Sequence, residues 1–127
     1  MLFGPPQLLH WSESPEFCAR CHVHEPQSEA FQHGGAHRRK RCVDCHLPND
    51  NIPRHFFWKG IDGMKDVAAF YSGRFPEELR LSRHGRSVLQ GNCIRCHENM
   101  VMRVDPERMC WECHRRIQHK GTALMRP

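Results

Sequence analysis

The chain has 127 residues and a net charge of +5, and its length has room for one domain, expected over residues 1–127 with 1–13 as a lead-in. Hydrophobic residues make up 39% of it and glycine and proline number nine each, which is thin for a core made of side chains alone. No run of about 18 apolar residues is present, which excludes a transmembrane helix within the chain, and Met1–Leu9 lacks the apolar run of a signal peptide.

The first third of the chain carries two copies of a Cys-x-x-Cys-His motif, at Cys18–His22 and Cys42–His46. Ser14-Pro15-Glu16 predicts a helix that starts just before the first copy, because a capping hydroxyl precedes a first-turn proline and an acid. A basic run, Arg38–Arg41, stands immediately before the second copy.

The last third carries two further copies, at Cys93–His97 and Cys110–His114, after a middle segment that has no such motif. A helix is predicted over Ser87–His97. A second helix is predicted to start at Asp105-Pro106-Glu107 and to run through the fourth copy towards His119, with Gly121 as its stop. Alternating β-branched stretches are absent, so we expect few or no strands.

The four motifs predict covalently attached c-type haems. Two thiols three residues apart lie on one face of a helical turn, where both can bond to the haem vinyl groups, and the following histidine reaches the iron. The competing interpretation is two four-thiolate zinc ribbons, but a zinc ribbon has no need of a histidine after each pair. The predicted attachment residues use all the cysteines of the chain: Cys18, Cys21, Cys42, Cys45, Cys93, Cys96, Cys110 and Cys113.

Four haems account for the composition and the charge. With about 32 residues per haem, the chain is expected to be mainly α-helical with extensive loops, a small cytochrome c wrapped around four closely packed haems. Haem propionates bring about eight negative charges, for which scattered Arg and Lys are counter-charges, so no nucleic-acid partner is expected. The run Arg38–Arg41 suits this role, and a solvated basic face is an equal alternative. Because such haems are attached outside the bacterial cytoplasm, we expect an export signal or anchor ahead of Met1.

The iron ligands follow in part from the motifs. His22, His46, His97 and His114 are the predicted proximal ligands, which leaves one axial position on each iron. His119 lies five residues beyond His114 on the same predicted helix, so it is expected to reach a different haem. His37 is likewise free to cross to a neighbouring haem. For each of the other histidines, we expect a propionate partner or a surface residue at least as often as an iron ligand.

The order of the motifs resembles the NapC/NirT family of tetrahaem quinol dehydrogenases, and within it the small subunits of cytochrome c nitrite reductases. The residues that carry the resemblance span nearly the whole chain: Phe17–Pro26, Gln32-His33, Ala36–Arg38, Cys42–Pro48, Asn92–His97, Cys110–Arg115 and His119.

The resemblance implies that the chain takes electrons from menaquinol at the periplasmic side of the cytoplasmic membrane and passes them to a multihaem reductase, with nitrite reductase as the expected partner. The first motif would hold the haem nearest the quinol, His119 would be the distal ligand of the second-motif haem and His37 that of the third. The fourth haem would be completed by the partner subunit. Lys59 and Asp66 match the family's quinol-site lysine and aspartate, and ordinary exposed residues are the equal alternative.

Two departures from the family pattern bear on these expectations. The family has Met two residues after the first motif's histidine, whereas this chain has His24, so either His24 ligates the first haem or His22 ligates and His24 is free. A nitrogen ligand predicts a lower potential for that haem. The family's anchor helix is also absent from the chain, and Phe56–Trp58 beside Lys59 could instead contact a membrane interface or cover a haem.

Three functions remain open at this point. The first is a quinol-oxidising electron-transfer subunit without independent substrate catalysis. The second is a soluble periplasmic electron carrier that does not oxidise quinol. The third is an enzyme that acts on a small nitrogen or sulfur oxide at an open haem, with the first or fourth iron as the candidate.

Overall fold

The computed structural model describes residues 6–33, 35–74, 76 and 79–119, without the side chains of His22, Arg116 and Gln118. In this part of the chain the regular structure is helical and no strand is present, as the sequence predicts. The α-helices are α1 (Pro6–Trp11), α2 (Pro15–Cys18), α3 (Glu25–Gln32), α4 (Cys42–His46), α5 (Ile52–Ser72), α6 (Arg83–Val101) and α7 (Cys110–Cys113). Short 3₁₀ turns cover His22–His24 and Arg115–Gln118.

The contacts divide the chain into two compact units. The first consists of Met1–Val43 and Asp105–Pro127, and the second of Asp44–Val104. Helix α4 begins in the first unit and ends in the second, so the second motif belongs to both. A single domain over residues 1–127 therefore stays a prediction.

The first unit is built from short helices. Ser14 caps α2 as predicted, since its Oγ accepts a hydrogen bond from the Phe17 amide at 3.2 Å. The Trp11 and Phe17 rings meet edge to face, with centroids 4.9 Å apart. An ion pair of 2.8 Å joins Arg41 to Glu13, which brings the residue before α4 to the residue before the α2 cap.

The second unit is built on two long helices. The Asn51 side chain caps the start of α5 by accepting from the Arg54 amide at 2.8 Å, and Gly73 ends it in the left-handed region at φ 63°. Ser82 caps α6 by accepting from the Gly85 amide at 3.0 Å. The predicted helix over Ser87–His97 is confirmed within α6. Helix α5 was not predicted, although Asn51-Ile52-Pro53 is a typical start and Gly73 a typical stop.

One predicted helix is wrong in its start and extent. No helix begins at Asp105, because its Oδ1 accepts from the Glu107 amide at 3.0 Å and its carbonyl from the Arg108 amide at 3.1 Å, which closes a turn. Helix α7 begins only at Cys110 and ends at Cys113. An aspartate before a proline favours a turn as readily as a helix cap, and here the turn forms. The predicted stop, Gly121, lies outside the described residues.

Side chains form very little core in the described residues. The buried hydrophobic side chains are Val43, Leu47 and Val88, and none is fully enclosed. Large apolar side chains stand exposed instead, among them Met64 at 74% and Tyr71 at 84%. This is the thin core that the composition predicted.

None of the described helices is both long enough and apolar enough to cross a lipid bilayer.

Candidate haem-binding site

The first two motifs come together at their leading cysteines. The thiols of Cys18 and Cys42 are hydrogen-bonded, and this bond together with burial raises the pKa of the Cys42 thiol. Two thiols predicted to hold different haems therefore lie side by side in the first unit. Cys42 and Cys45 share the single turn of α4, which is the geometry that the motif predicts.

The second and third motifs are joined by a residue whose structural role the sequence did not reveal. Asn92 immediately precedes Cys93, is only 7% exposed and is the one buried polar residue of the described chain. Its Nδ2 donates to the carbonyl oxygens of Cys45 at 3.0 Å and Leu47 at 2.8 Å, on either side of His46. Asn92 thus ties the end of the second motif to the start of the third.

The third and fourth motifs lie on helical turns with one exposed cysteine each. Cys93 and Cys96 are on α6, whose backbone departs from helical geometry at His97, and Cys96 is exposed. Cys110 and Cys113 are on α7, and Cys113 is exposed. An exposed sulfur on a helical turn is open to bond formation with a haem.

The sequence predicted that His114 and His119 lie on one helix, and the structure does not place them on one. His114 follows the last residue of α7 and has a non-helical backbone at φ −87° and ψ 64°, and His119 has φ 51°, so the two do not share an α-helix. His119 packs edge to face on Phe31, with ring centroids 5.7 Å apart. Burial lowers the pKa of His119, which favours the neutral imidazole that binds metal. The role of His119 as a ligand stays a prediction that rests on the family resemblance.

The other two predicted distal ligands belong to the first unit. His24 ends the 3₁₀ turn and precedes α3 without capping it through its side chain. His37 lies in a turn that the Lys40 amide closes on the His37 carbonyl at 2.8 Å. The side chain of His22, the predicted proximal ligand of the first haem, is outside what the structure describes.

The predicted quinol residues share one helix. Lys59 and Asp66 are seven residues apart on α5, two turns along the same side. The Lys59 ammonium lies 5.6 Å from the centre of the Phe56 ring. The next residue along the chain, Trp58, stacks on His84 with centroids 3.6 Å apart and an interplanar angle of 23°. His84 Nε2 is buried without a hydrogen-bond partner, and no pattern in the sequence signalled this pair.

The residues present fit covalent haem. All eight thiols are free of disulfides, and the CxxC pairs of the last three motifs are on helical turns. Large apolar side chains stand exposed and offer surface for apolar cofactors, among them Phe17, Ile52, Phe57, Met64, Tyr71 and Met100. Within the described chain, no three side chains of the His, Cys, Asp and Glu types gather to bind a metal ion. The free thiols that lie in pairs on helical turns suit a cofactor that attaches through carbon–sulfur bonds.

These features define a c-type cytochrome with four covalently attached haems, a class of protein that transfers electrons. The family model described as "NapC/NirT cytochrome c family, N-terminal region" matches residues 1–124, and the chain belongs to this family. Haem rather than zinc is therefore the cofactor of the four motifs.

Individual relatives agree with this family. The chain is 34% identical over 127 residues to the cytochrome c-type protein NrfH of Wolinella succinogenes, a match that covers 88% of this chain and 72% of the relative. It is 26% identical over 134 residues to the tetrahaem c-type cytochrome CymA of Shewanella oneidensis, covering 98% of this chain and 66% of CymA. Among solved structures it is similar to a chain of the cytochrome c nitrite reductase NrfHA complex bound to the HQNO inhibitor, with a TM-score of 0.77, 26% identity, and coverage of 93% of this chain and 80% of that one.

Proposed function

We propose that this cytochrome takes electrons from menaquinol at the periplasmic side of the cytoplasmic membrane and passes them through its four haems to a multihaem nitrite reductase. The observation that carries the proposal is the similarity, over 93% of the chain, to a chain of the NrfHA nitrite reductase complex. The 34% identity to NrfH supports the same partner.

Each haem would be attached by one motif and would supply a one-electron redox centre. We assign His46, His97 and His114 as proximal ligands, and His119 and His37 as distal ligands of the second and third haems, and His22 would ligate the first iron only if His24 does not. His24 would ligate the first haem in place of the family's methionine.

Helix α5 would carry the quinol site. Oxidation of a quinol releases two protons with its two electrons, so Asp66 would accept a proton, and Lys59 would donate a hydrogen bond to a quinol oxygen. The exposed apolar side chains of α5 offer a surface on which a quinol ring can lie.

The proton-accepting role is tested with Asp66→Asn in the haem-loaded protein. We expect menaquinol-dependent haem reduction to slow by about 100-fold or more, since a positioned general base contributes about 10²–10⁴-fold. The matched control is Asp62→Asn on the same helix, which breaks only the exposed pair with Lys65 at 3.3 Å. Dithionite should reduce both variants fully. Wild-type rates in Asp66→Asn would remove Asp66 from the site, and wild-type protein indifferent to menaquinol would favour the soluble-carrier alternative.

The ligand of the first haem is tested with His24→Met, which restores the family residue. A thioether ligand favours ferrous iron more than imidazole does, so the potential of one haem should rise in a spectroscopic redox titration. His33→Met, also on a histidine of the first unit, is the control and should leave all four potentials unchanged. Unchanged potentials in His24→Met would show that His24 does not ligate iron.

A further inference from the structure

The contacts around Asn92 join two haem-binding segments that are far apart in the sequence. The Nδ2 group makes two donor contacts, at 3.0 Å to the Cys45 carbonyl and 2.8 Å to the Leu47 carbonyl. Since those carbonyls flank His46, the amide is hydrogen-bonded to the backbone on both sides of a predicted iron ligand. Cys93 follows Asn92 directly, so the third motif begins at the same point.

The opposite side of the amide is also satisfied. Asn92 Oδ1 accepts from Asn49 Nδ2 and from Arg95 Nε, each at 3.4 Å, and Arg95 lies inside the third motif. Asn49 Nδ2 donates in addition to the Leu47 carbonyl at 2.7 Å. The two carbonyls accept only and therefore require the amide nitrogen on their side, which sets the orientation of the Asn92 side chain.

Because Asn92 is buried, few other side chains can replace it. A buried amide whose donors and acceptor are all used cannot be replaced without leaving a carbonyl or a donor unpaired. Aspartate has the shape of asparagine but brings oxygen against the two carbonyls, and leucine fills the space but offers no donor. Asparagine is the side chain that matches both sides.

We propose that Asn92 is a positioning residue that holds the second and third haem-binding segments at a set spacing and orientation, and so sets the coupling between these two haems. The proposal rests on the haem attachment within the proposed function and is independent of quinol oxidation. The amide acts through the backbone of Cys45 and Leu47 and touches no reacting atom.

The test compares Asn92→Asp with Asn99→Asp, the same change at an exposed position of α6, in protein shown by mass to carry four haems. Electron paramagnetic resonance of the oxidised protein and a stepwise redox titration report the magnetic and redox interactions between haems. Hydrogen exchange over residues 44–49 reports the local stability of the backbone that Asn92 contacts. We expect Asn92→Asp to alter the interaction of one haem pair and to speed exchange about tenfold or more, which corresponds to ~1.4 kcal/mol of lost local stability. Asn99→Asp should match the wild type in each measurement.

Asn49→Ala provides a second variant if Asn92→Asp does not accumulate with four haems. It keeps both Asn92 donors but removes one contact to Asn92 Oδ1, together with the bonds from Asn49 Nδ2 to the carbonyls of Leu47 at 2.7 Å and Asp44 at 3.2 Å, so it should alter the same haem pair. Unchanged haem interactions in the variant that accumulates, even with faster exchange, would overturn the proposal and leave Asn92 a stabilising residue only. Since dithionite serves as the reductant, failure of menaquinol to reduce the wild type would refute the quinol site without affecting this result.

Discussion

The two units hold their motifs in different ways. The second unit has helices of 21 and 19 residues, capped by side chains at their starts, and a buried amide that ties its segments together. In the first unit the α-helices that lie wholly within it have four to eight residues, and their contacts are ring pairs and an ion pair. Helices this short are not stable by their own hydrogen bonds. The difference predicts that the helices of the first unit depend more on their haems than the long helices of the second unit do.

The largest expected effect comes from removing one haem from each unit. The paired change Cys110→Ser with Cys113→Ser should abolish hydrogen-exchange protection across residues 105–119, because α7 is a single turn without a side-chain cap. Cys93→Ser with Cys96→Ser should leave α5 and most of α6 protected. Haem loss is verified by mass before exchange is measured. Equal loss of protection in the two proteins would break the comparison between the units.

A glycine at the end of α5 and a glycine inside it probe the framework of the second unit. Gly73→Ala should lower the free energy of unfolding by about 1–2 kcal/mol, because residue 73 has φ 63°, where a Cβ is strained. Gly63→Ala is the control inside the same helix: nothing lies within 4 Å of the added carbon, so it should raise stability by up to ~1 kcal/mol. Urea unfolding followed by circular dichroism measures both. A destabilised Gly63→Ala would mean that this face of α5 is covered.

The same residue type caps one helix in each unit. Ser82→Ala should cost about 1 kcal/mol, because it removes the acceptor of the Gly85 amide at the start of a 19-residue helix. Ser14→Ala removes the equivalent bond from the four-residue α2 and should cost less, since that helix is short and its bond is longer, at 3.2 Å. Denaturant unfolding compares the two variants. A larger loss in Ser14→Ala would show that α2 carries more of the fold than its length indicates.

The ion pair of the first unit should matter less. Glu13→Gln keeps the shape of the side chain and removes its charge opposite Arg41, for an expected loss of about 0.5 kcal/mol. The estimate is small because Arg41 is 40% exposed, even though Glu13 is only 13% exposed. Raising the salt concentration should shrink the difference between variant and wild type. A salt-independent loss would mean that the carboxylate acts through hydrogen bonds alone.

The smallest effect is expected at Asp50, in the second unit. The hydrogen bond from Arg54, at 2.7 Å, lowers the pKa of Asp50. A carboxyl with a lowered folded-state pKa contributes stability above its unfolded pKa and loses it as the pH falls through the folded value. Asp50→Asn should therefore differ from the wild type slightly at neutral pH and not at all in strong acid, as measured by urea unfolding. A difference that grew in acid would contradict this sign.

The cofactor and the fold class were predictable from the sequence because their determinants are local. Two cysteines three residues apart on a helical turn, followed by histidine, carry within five residues the groups that attach a haem and ligate its iron. The shortage of apolar residues predicted the thin core, and Ser14 predicted the start of α2. The Asp105 signal failed for the same local reason, since an aspartate before a proline favours a turn and a helix cap alike.

The tertiary structure alone decided which segments meet. Asn92 contacts the Cys45 carbonyl across 47 positions of sequence, and His84 stacks on Trp58 from a different helix. No spacing rule connects such residues, because their contacts depend on how helices pack and on which polar groups burial leaves to be satisfied. The motifs therefore determined how many haems the chain carries, and folding decided how the second and third haem-binding segments are held to one another.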